Sequence, residues 1–141
     1  MSLSVRRMHP WEVPFIWEFV VDDLQRAIDH NDGEADVEDL WRDLLMGSQS
    51  LWIVFDNSVF EITASFTTFI HNYPRKRVLF VALLAGKGMR QFMRLDSELI
   101  GYAKEHDCSE INSYVIPEVA NLVERLDKNY KSTHRVIVRK I

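Results

Sequence analysis

A single cysteine, Cys108, stands among 141 residues, so no disulfide can form within the chain. That fits a reducing compartment. Basic excess is lacking too. Seventeen Lys and Arg against 21 Asp and Glu give a formal net charge of −4. A general nucleic-acid binder carries a basic domain or stripe instead. The one local exception is "PRKR", Pro74 to Arg77. No apolar run approaches the ~20 residues that span a bilayer, and "MSLSVRRMHP" lacks the apolar core of a signal peptide. No nucleic acid and no membrane are therefore expected as partners, and the reading is a cytoplasmic protein. Histidines 9, 30, 71, 106 and 134 show no His-x-x-x-His spacing, so no metal site is expected. No Gly-x-Ser-x-Gly elbow is present.

What is there is apolar residue in periodic order. Aliphatic and aromatic residues make up 47% of the chain, enough for a core, and no linker divides residues 1–141, so one domain is expected. Val5 to Met8 reads as a first strand. From Val13 on, Trp17, Val20, Val21, Leu24, Ala27 and Ile28 recur at three- and four-residue spacing, the mark of an amphipathic helix. A second helix starts at Asp36, a natural N-cap, buries Leu40, Trp41, Leu44 and Leu45, and stops at Gly47.

The period then drops to two. Leu51 to Phe55 is a fully apolar strand. Beyond a "DNS" turn, Phe60, Ile62, Ala64 and Phe66 alternate with Glu61, Thr63, Ser65 and Thr67, which predicts an antiparallel hairpin with one face each. After the loop "HNYPRKR", Val78 to Ala85 is a buried strand, followed by Gly86-Lys87-Gly88 and a helix over Met89–His106. Glu110–Ile116 reads as a strand, Pro117 opens a short helix with Val119, Leu122, Val123 and Leu126, and "STHRVIVRKI" closes the chain as a strand. The order β-α-α-β-β-β-α-β-α-β predicts an α+β protein in three layers, a mixed central sheet flanked by helices.

Two readings of Gly86-Lys87-Gly88 stand at this point. Two glycines make a sharp turn, or they let backbone N–H groups at a helix start approach an anion.

The element order resembles that of the GNAT family, the acetyl-CoA-dependent N-acyltransferases, over nearly the whole chain. In that family the turn after the fourth strand carries [Gln/Arg]-x-x-Gly-x-[Gly/Ala], whose amides bind the pyrophosphate of coenzyme A. The matching register here is "LLAGKG": Gly86 and Gly88 match, and Leu83 stands where the family has Gln or Arg. The family's late helix carries an Asn followed by an aromatic acid. In "ANLVERLDKNY" Asn121 matches, while Val123 occupies the place of the usual Tyr acid and Asp127 that of the usual Gly. With these departures the chain looks like the short, divergent GNAT-like proteins of phage and prophage genomes. That setting would be host cytoplasm or virion, and a protein contact in morphogenesis or host modulation could then replace catalysis.

The resemblance implies a site. Acetyl-CoA would be held by Val81, Leu83, Gly86, Lys87, Gly88, Met89, Arg90 and Asn121, with an amine as acceptor or a protein as partner. Acyl transfer to an amine uses a general base, an N–H donor for the oxyanion, often from the fourth strand, and an acid for the thiolate. Val78–Ala85 holds no carboxylate, so Glu61 on the neighbouring strand is the candidate base and Tyr130 the candidate acid. The plain alternatives are a solvated strand residue and a packing phenol. Asp22, Asp23, Glu34, Asp36, Glu38 and Asp39 could attract a cationic amine, or serve as caps and solvated faces. Arg75–Arg77 could touch the 3′-phosphate of coenzyme A, or simply be a solvated loop. Exposed tryptophans in the first half would mark a partner surface.

Overall fold

The computed structural model describes residues 2–31, 33–87, 93 and 96–141. The expected helix over Met89–His106 and the glycine turn before it therefore fall partly outside the described residues, as do Gly88, Met89 and Arg90. The described elements are β1 (Leu3–Arg7), a 3-10 turn (Pro10–Glu12), α1 (Val13–Asp29), α2 (Val37–Met46), β2 (Ser50–Asp56), β3 (Glu61–Asn72), β4 (Arg77–Gly86), α3 (Asp96–Glu105), β5 (Glu110–Ser113) and α4 (Pro117–Leu126).

The strands form one sheet in the order β1-β2-β3-β4-β5. The first three pairings are antiparallel and β4–β5 is parallel, as a β-α-β connection requires. β4 has strands on both sides, so the most apolar segment is internal. Val13, Val20, Leu24 and Ile28 of α1 and Leu40 and Leu44 of α2 pack with Leu51, Ile53 and Ala85 on one face. On the other face Leu99 and Ala103 of α3 pack with Trp52, Val54, Phe66, Leu79 and Val81. Among the described residues no helix is long and apolar enough to cross a membrane.

Local chemistry explains the ends. Asp36 accepts from the Asp39 N–H at 2.9 Å while the Asp39 carboxylate accepts from the Asp36 N–H at 3.0 Å, a reciprocal cap on α2. Gly47 takes φ 80° at the other end of that helix, the left-handed stop that glycine permits.

Three expectations are corrected. The alternation from Phe60 to Phe66 does not keep one face. Phe55 pairs with Ile62 but Val54 with Ala64, so Thr63 is an extra residue in β3. This bulge sends Ile62 to the α1 side and Ala64 and Phe66 to the α3 side, because one inserted residue inverts the pleat. The strand expected over Glu110–Ile116 ends at Ser113, and Tyr114, Val115 and Ile116 are exposed. The closing strand is absent. Residues 132–141 have no regular structure, because among the described residues no strand pairs with them.

Candidate functional site

The feature that sets the site is where two strands part. β4 and β5 pair from Val78↔Glu110 to Val81↔Ser113 and no further. β4 itself continues, paired with β3, to Gly86. The Ser113 hydroxyl donates to the Val81 carbonyl at 2.8 Å and closes the last rung. Beyond it about 17 Å of β4 has no strand on the β5 side among the described residues.

At the fork β4 is irregular. Thr68 pairs with Val81 and Thr67 with Leu83, so Ala82 faces no partner in β3. This is a β-bulge, a device that re-aims backbone groups. Ala82 is exposed, one residue past the last rung that β4 shares with β5. The fork thus has a small side chain on a bulged strand at its apex, between the remaining β4 edge and the departing Ser113–Ile116.

Gly86 ends β4 with φ 93°, and a β-carbon built there would lie 2.7 Å from both the Ala64 Cα and the Thr63 carbonyl oxygen. Its glycine is therefore required by the approach of β3, with no ligand invoked. The Lys87 N–H donates to that same Thr63 carbonyl at 3.1 Å, so this amide is held by the sheet. The Lys87 side chain is exposed beside it. Val81 and Leu83 flank the bulge, Val81 buried toward α3 and Leu83 packed toward α1. Asn121 is exposed on α4, and its side chain makes no hydrogen bond among the described residues.

The two residues expected to carry protons are not brought to the fork. Glu61 is the first residue of β3, paired with Asp56, and exposed. Six residues of strand separate it from Thr67, roughly 20 Å at the usual rise. The Tyr130 hydroxyl donates to the Asp96 carboxylate at 2.8 Å, tying the chain after α4 to the start of α3. Burial, then that acceptor and its negative charge, push the Tyr130 phenol well above its ordinary value. A phenol so held keeps its proton and directs it at Asp96.

Other expectations resolve into structure. Lys76 pairs with Glu110 at 2.5 Å at the opposite end of β4 from Gly86. Arg75–Arg77 thus lie about 30 Å along the strand from the glycine turn, too far to serve the same ligand's phosphates. Within the acidic cluster, Asp36 and Asp39 are caps and Asp23 pairs with Arg26. A cavity of about 200 Å³ is lined by Ser50, Thr68, Leu79 and Tyr102; Thr68 pairs with Val81, so it reaches the level of the last β4–β5 rung. No group of three metal-ligating side chains occurs among the described residues.

The sequence reading missed Ala82 and Ser113. A small residue inside an apolar run carries no mark of a bulge, which arises only from cross-strand register.

Neither family sequence patterns nor curated proteins match this chain. Solved structures do. An aminoglycoside N-acetyltransferase, AAC(6')-Iy, in complex with CoA superposes with a TM-score of 0.70 at 16% identity, covering 99% of this chain and 95% of that one. Glucosamine-6-phosphate N-acetyltransferase from Arabidopsis thaliana gives 0.67 at 10% identity, with 99% of each chain covered. An aminoglycoside acetyltransferase from an uncultured soil metagenomic sample, in complex with sisomicin, gives 0.66 at 13% identity over 99% and 94%. The fold is that of the GNAT acyltransferases. At these identities the likeness is one of fold.

Proposed function

We propose that this protein binds acetyl-CoA in the β4–β5 fork and transfers the acyl group to an amine. The carrying observation is the fork itself: β4 losing its β5 partner after Val81 while Ala82 bulges into the gap. The group fits what is present. An extended arm bearing amides can pair with an open strand edge as a strand would. The side chain of Ala82 at the apex is a methyl, which leaves the backbone approachable. Val81, Leu83 and the Ala82 backbone would hold the arm, and Lys87 would stand beside the phosphates. Acetyl-CoA would supply the activated acyl group.

The chain's own contribution is orientation and a freed backbone at the bulge, aimed where negative charge develops. It offers no carboxylate on β4, and Tyr130 is engaged by Asp96. Those facts favour slow transfer that depends on the free-base form of the amine. They also favour a second reading, in which the fork binds the cofactor and the protein works by contact.

Calorimetric titration with acetyl-CoA tests the first step, with Ala82→Trp as the variant that fills the apex. Wild-type binding that is lost in a folded Ala82→Trp protein is the expected result. No binding at millimolar acetyl-CoA, or equal binding by the variant, would overturn the proposal. Thiol release in the presence of a panel of amines separates the transferase from the contact protein.

A further inference from the structure

Three aromatic rings meet beside the fork, from β3, from β4 and from the chain that leaves β5. Phe69 of β3 stacks on Phe80 of β4, with ring centroids 5.3 Å apart and planes inclined by 6°. Phe80 in turn meets Tyr114, with centroids 5.1 Å apart and planes inclined by 61°. Leu79 and Val81 pack toward α3, so by alternation Phe80 faces the other side of the sheet. The backbone of Tyr114 has left the strand, yet its ring lies back on Phe80 and stands on that same side. Phe80 is 7% exposed and Tyr114 76%, so the row is anchored in the sheet and ends in solvent.

The free end of the row is next to the apex. Tyr114 directly follows Ser113 and Ala82 directly follows Val81, the two residues of the last β4–β5 rung. The exposed ring and the bulge are therefore neighbours, separated by at least one strand spacing, about 4.8 Å. One exposed tyrosine needs no explanation, but Val115 at 45% and Ile116 at 62% continue the apolar surface. Charge is missing from the same place. Residues 62–72, 77–86 and 111–116, the strands of the fork and the departing chain, contain no Asp or Glu. A polycation is recognised by carboxylates of complementary placement, whereas an aromatic face receives another ring by offset or edge contact.

We propose that the acceptor bound at the fork is an aromatic monoamine, its ring on Tyr114 and its nitrogen beside Ala82. The inference rests on the reading of the fork as the acetyl-CoA site and names the class of amine that this site takes. A short alkyl spacer between ring and nitrogen covers the distance from Tyr114 to the bulge. Phe69 and Phe80 hold the Tyr114 ring in place from below, and the ring selects the acceptor without transferring a proton.

Calorimetric titration of the full chain saturated with CoA tests this, with 2-phenylethylamine, propylamine and spermidine as probes. Acetyl-CoA is titrated separately. The expected result is that 2-phenylethylamine binds roughly tenfold or more tighter than either other amine. Tyr114→Ala should bring the ratio of 2-phenylethylamine to propylamine affinity close to one, and Tyr114→Phe, which keeps the ring, should preserve it. Tyr114 is exposed, so both variants should hold the fold by circular dichroism. Using the ratio removes any general effect of the substitution on the fork. Acetyl-CoA binding without a preference for the ring overturns this inference alone. So does tighter binding of spermidine, or a preference that survives in Tyr114→Ala. A chain that binds no acetyl-CoA at millimolar concentration overturns the acyltransferase reading, and this inference with it.

Discussion

Replacing Gly86 with alanine adds one methyl at the end of the central strand. Two costs follow from the geometry. Gly86 has φ 93°, outside the range an L side chain adopts readily, which costs about 1–2 kcal/mol. The new Cβ would also sit 2.7 Å from the Ala64 Cα and the Thr63 carbonyl oxygen, both backbone atoms of β3. Neither can rotate away, so β3 and β4 must separate by roughly 0.7 Å to reach ordinary contact, an overpacking strain of about 1–3 kcal/mol. Separation also stretches the Lys87 N–H to Thr63 carbonyl bond, now 3.1 Å. The sum, about 2–5 kcal/mol, is a large part of the 5–15 kcal/mol that holds a domain together.

At about 3–4 °C per kcal/mol for a domain of this length, Gly86→Ala should melt roughly 10 °C below wild type. Gly101 is the internal control. It lies within α3, has no atom within 4 Å of its would-be Cβ, and has no positive φ. Gly101→Ala should raise stability by about 0.5–1 kcal/mol through helix propensity. Differential scanning calorimetry on both variants gives the readout. If Gly86→Ala melts within about 2 °C of wild type, the close approach of β3 is not what requires the glycine, and the reasoning fails. The consequence for function is direct: Lys87→Glu, not a Gly86 variant, is the clean probe of a phosphate contact, because it leaves the strand end intact.

Thr67 and its neighbour Ser65 are buried under α1 with hydroxyls that find no partner; Thr67→Val should be neutral or stabilise by about 1 kcal/mol in urea melts, and a loss of that size would mean the hydroxyl is satisfied. Trp52 donates its indole N–H to Thr68 at 3.0 Å and packs on Phe66 and Tyr102; Trp52→Ala should cost about 3–5 kcal/mol, and a drop under 1 kcal/mol would contradict that packing. Tyr130 has its pKa raised in the folded state, so its contribution is complete below the unfolded value near 10 and disappears as pH climbs through the folded one; wild type should lose stability above that point by more than Tyr130→Phe does, and parallel profiles would refute the Asp96 bond. Acyl transfer with no positioned base should rise with pH until the amine is deprotonated and stay under the ordinary enzymatic range of roughly 1 per second, so a pH-independent rate or faster turnover would reveal a base not identified at the fork.

Much of the architecture was legible because it rests on local periods. The three- and four-residue spacing from Trp17 to Ile28, the Asp36 cap and the Gly47 stop are each decided within one or two turns of chain. The apolar run from Val78 to Ala85 similarly announced an internal strand. What was not legible depends on pairs of strands. The bulge at Thr63 makes Ile62 and Ala64 face opposite layers, and nothing in "FEITASF" says where the extra residue falls. Ala82 is indistinguishable from its neighbours in sequence, yet register makes it the apex of the fork. "THRVIVRK" has the composition of a strand, and a strand needs an edge to pair with. The glycine turn was read as either a turn or an anion cradle. Gly86 answers to the approach of β3, while Gly88 lies outside the described residues.

The fork and the proton chemistry separate in this chain. Opening a sheet between β4 and β5 leaves a strand edge without partners, which costs free energy unless something pairs with it. A fold under no demand to bind would gain by extending the rung closed by Ser113 to residues 114–116. Instead Tyr114, Val115 and Ile116 turn away from β4 and are exposed. In the proposed reading, that opening is what the ligand occupies. The proton-transferring groups make no such demand: Tyr130 is fully accounted for by Asp96, and Glu61 by solvent. In the proposed reading, an opening with no acid or base positioned among the described residues makes binding primary and transfer secondary. That ordering has an experimental form. Ala82→Trp should abolish acetyl-CoA binding, whereas Tyr130→Phe and Glu61→Gln should leave both binding and any residual transfer within about threefold of wild type, far below the 10²–10⁴-fold loss expected for a true general acid or base.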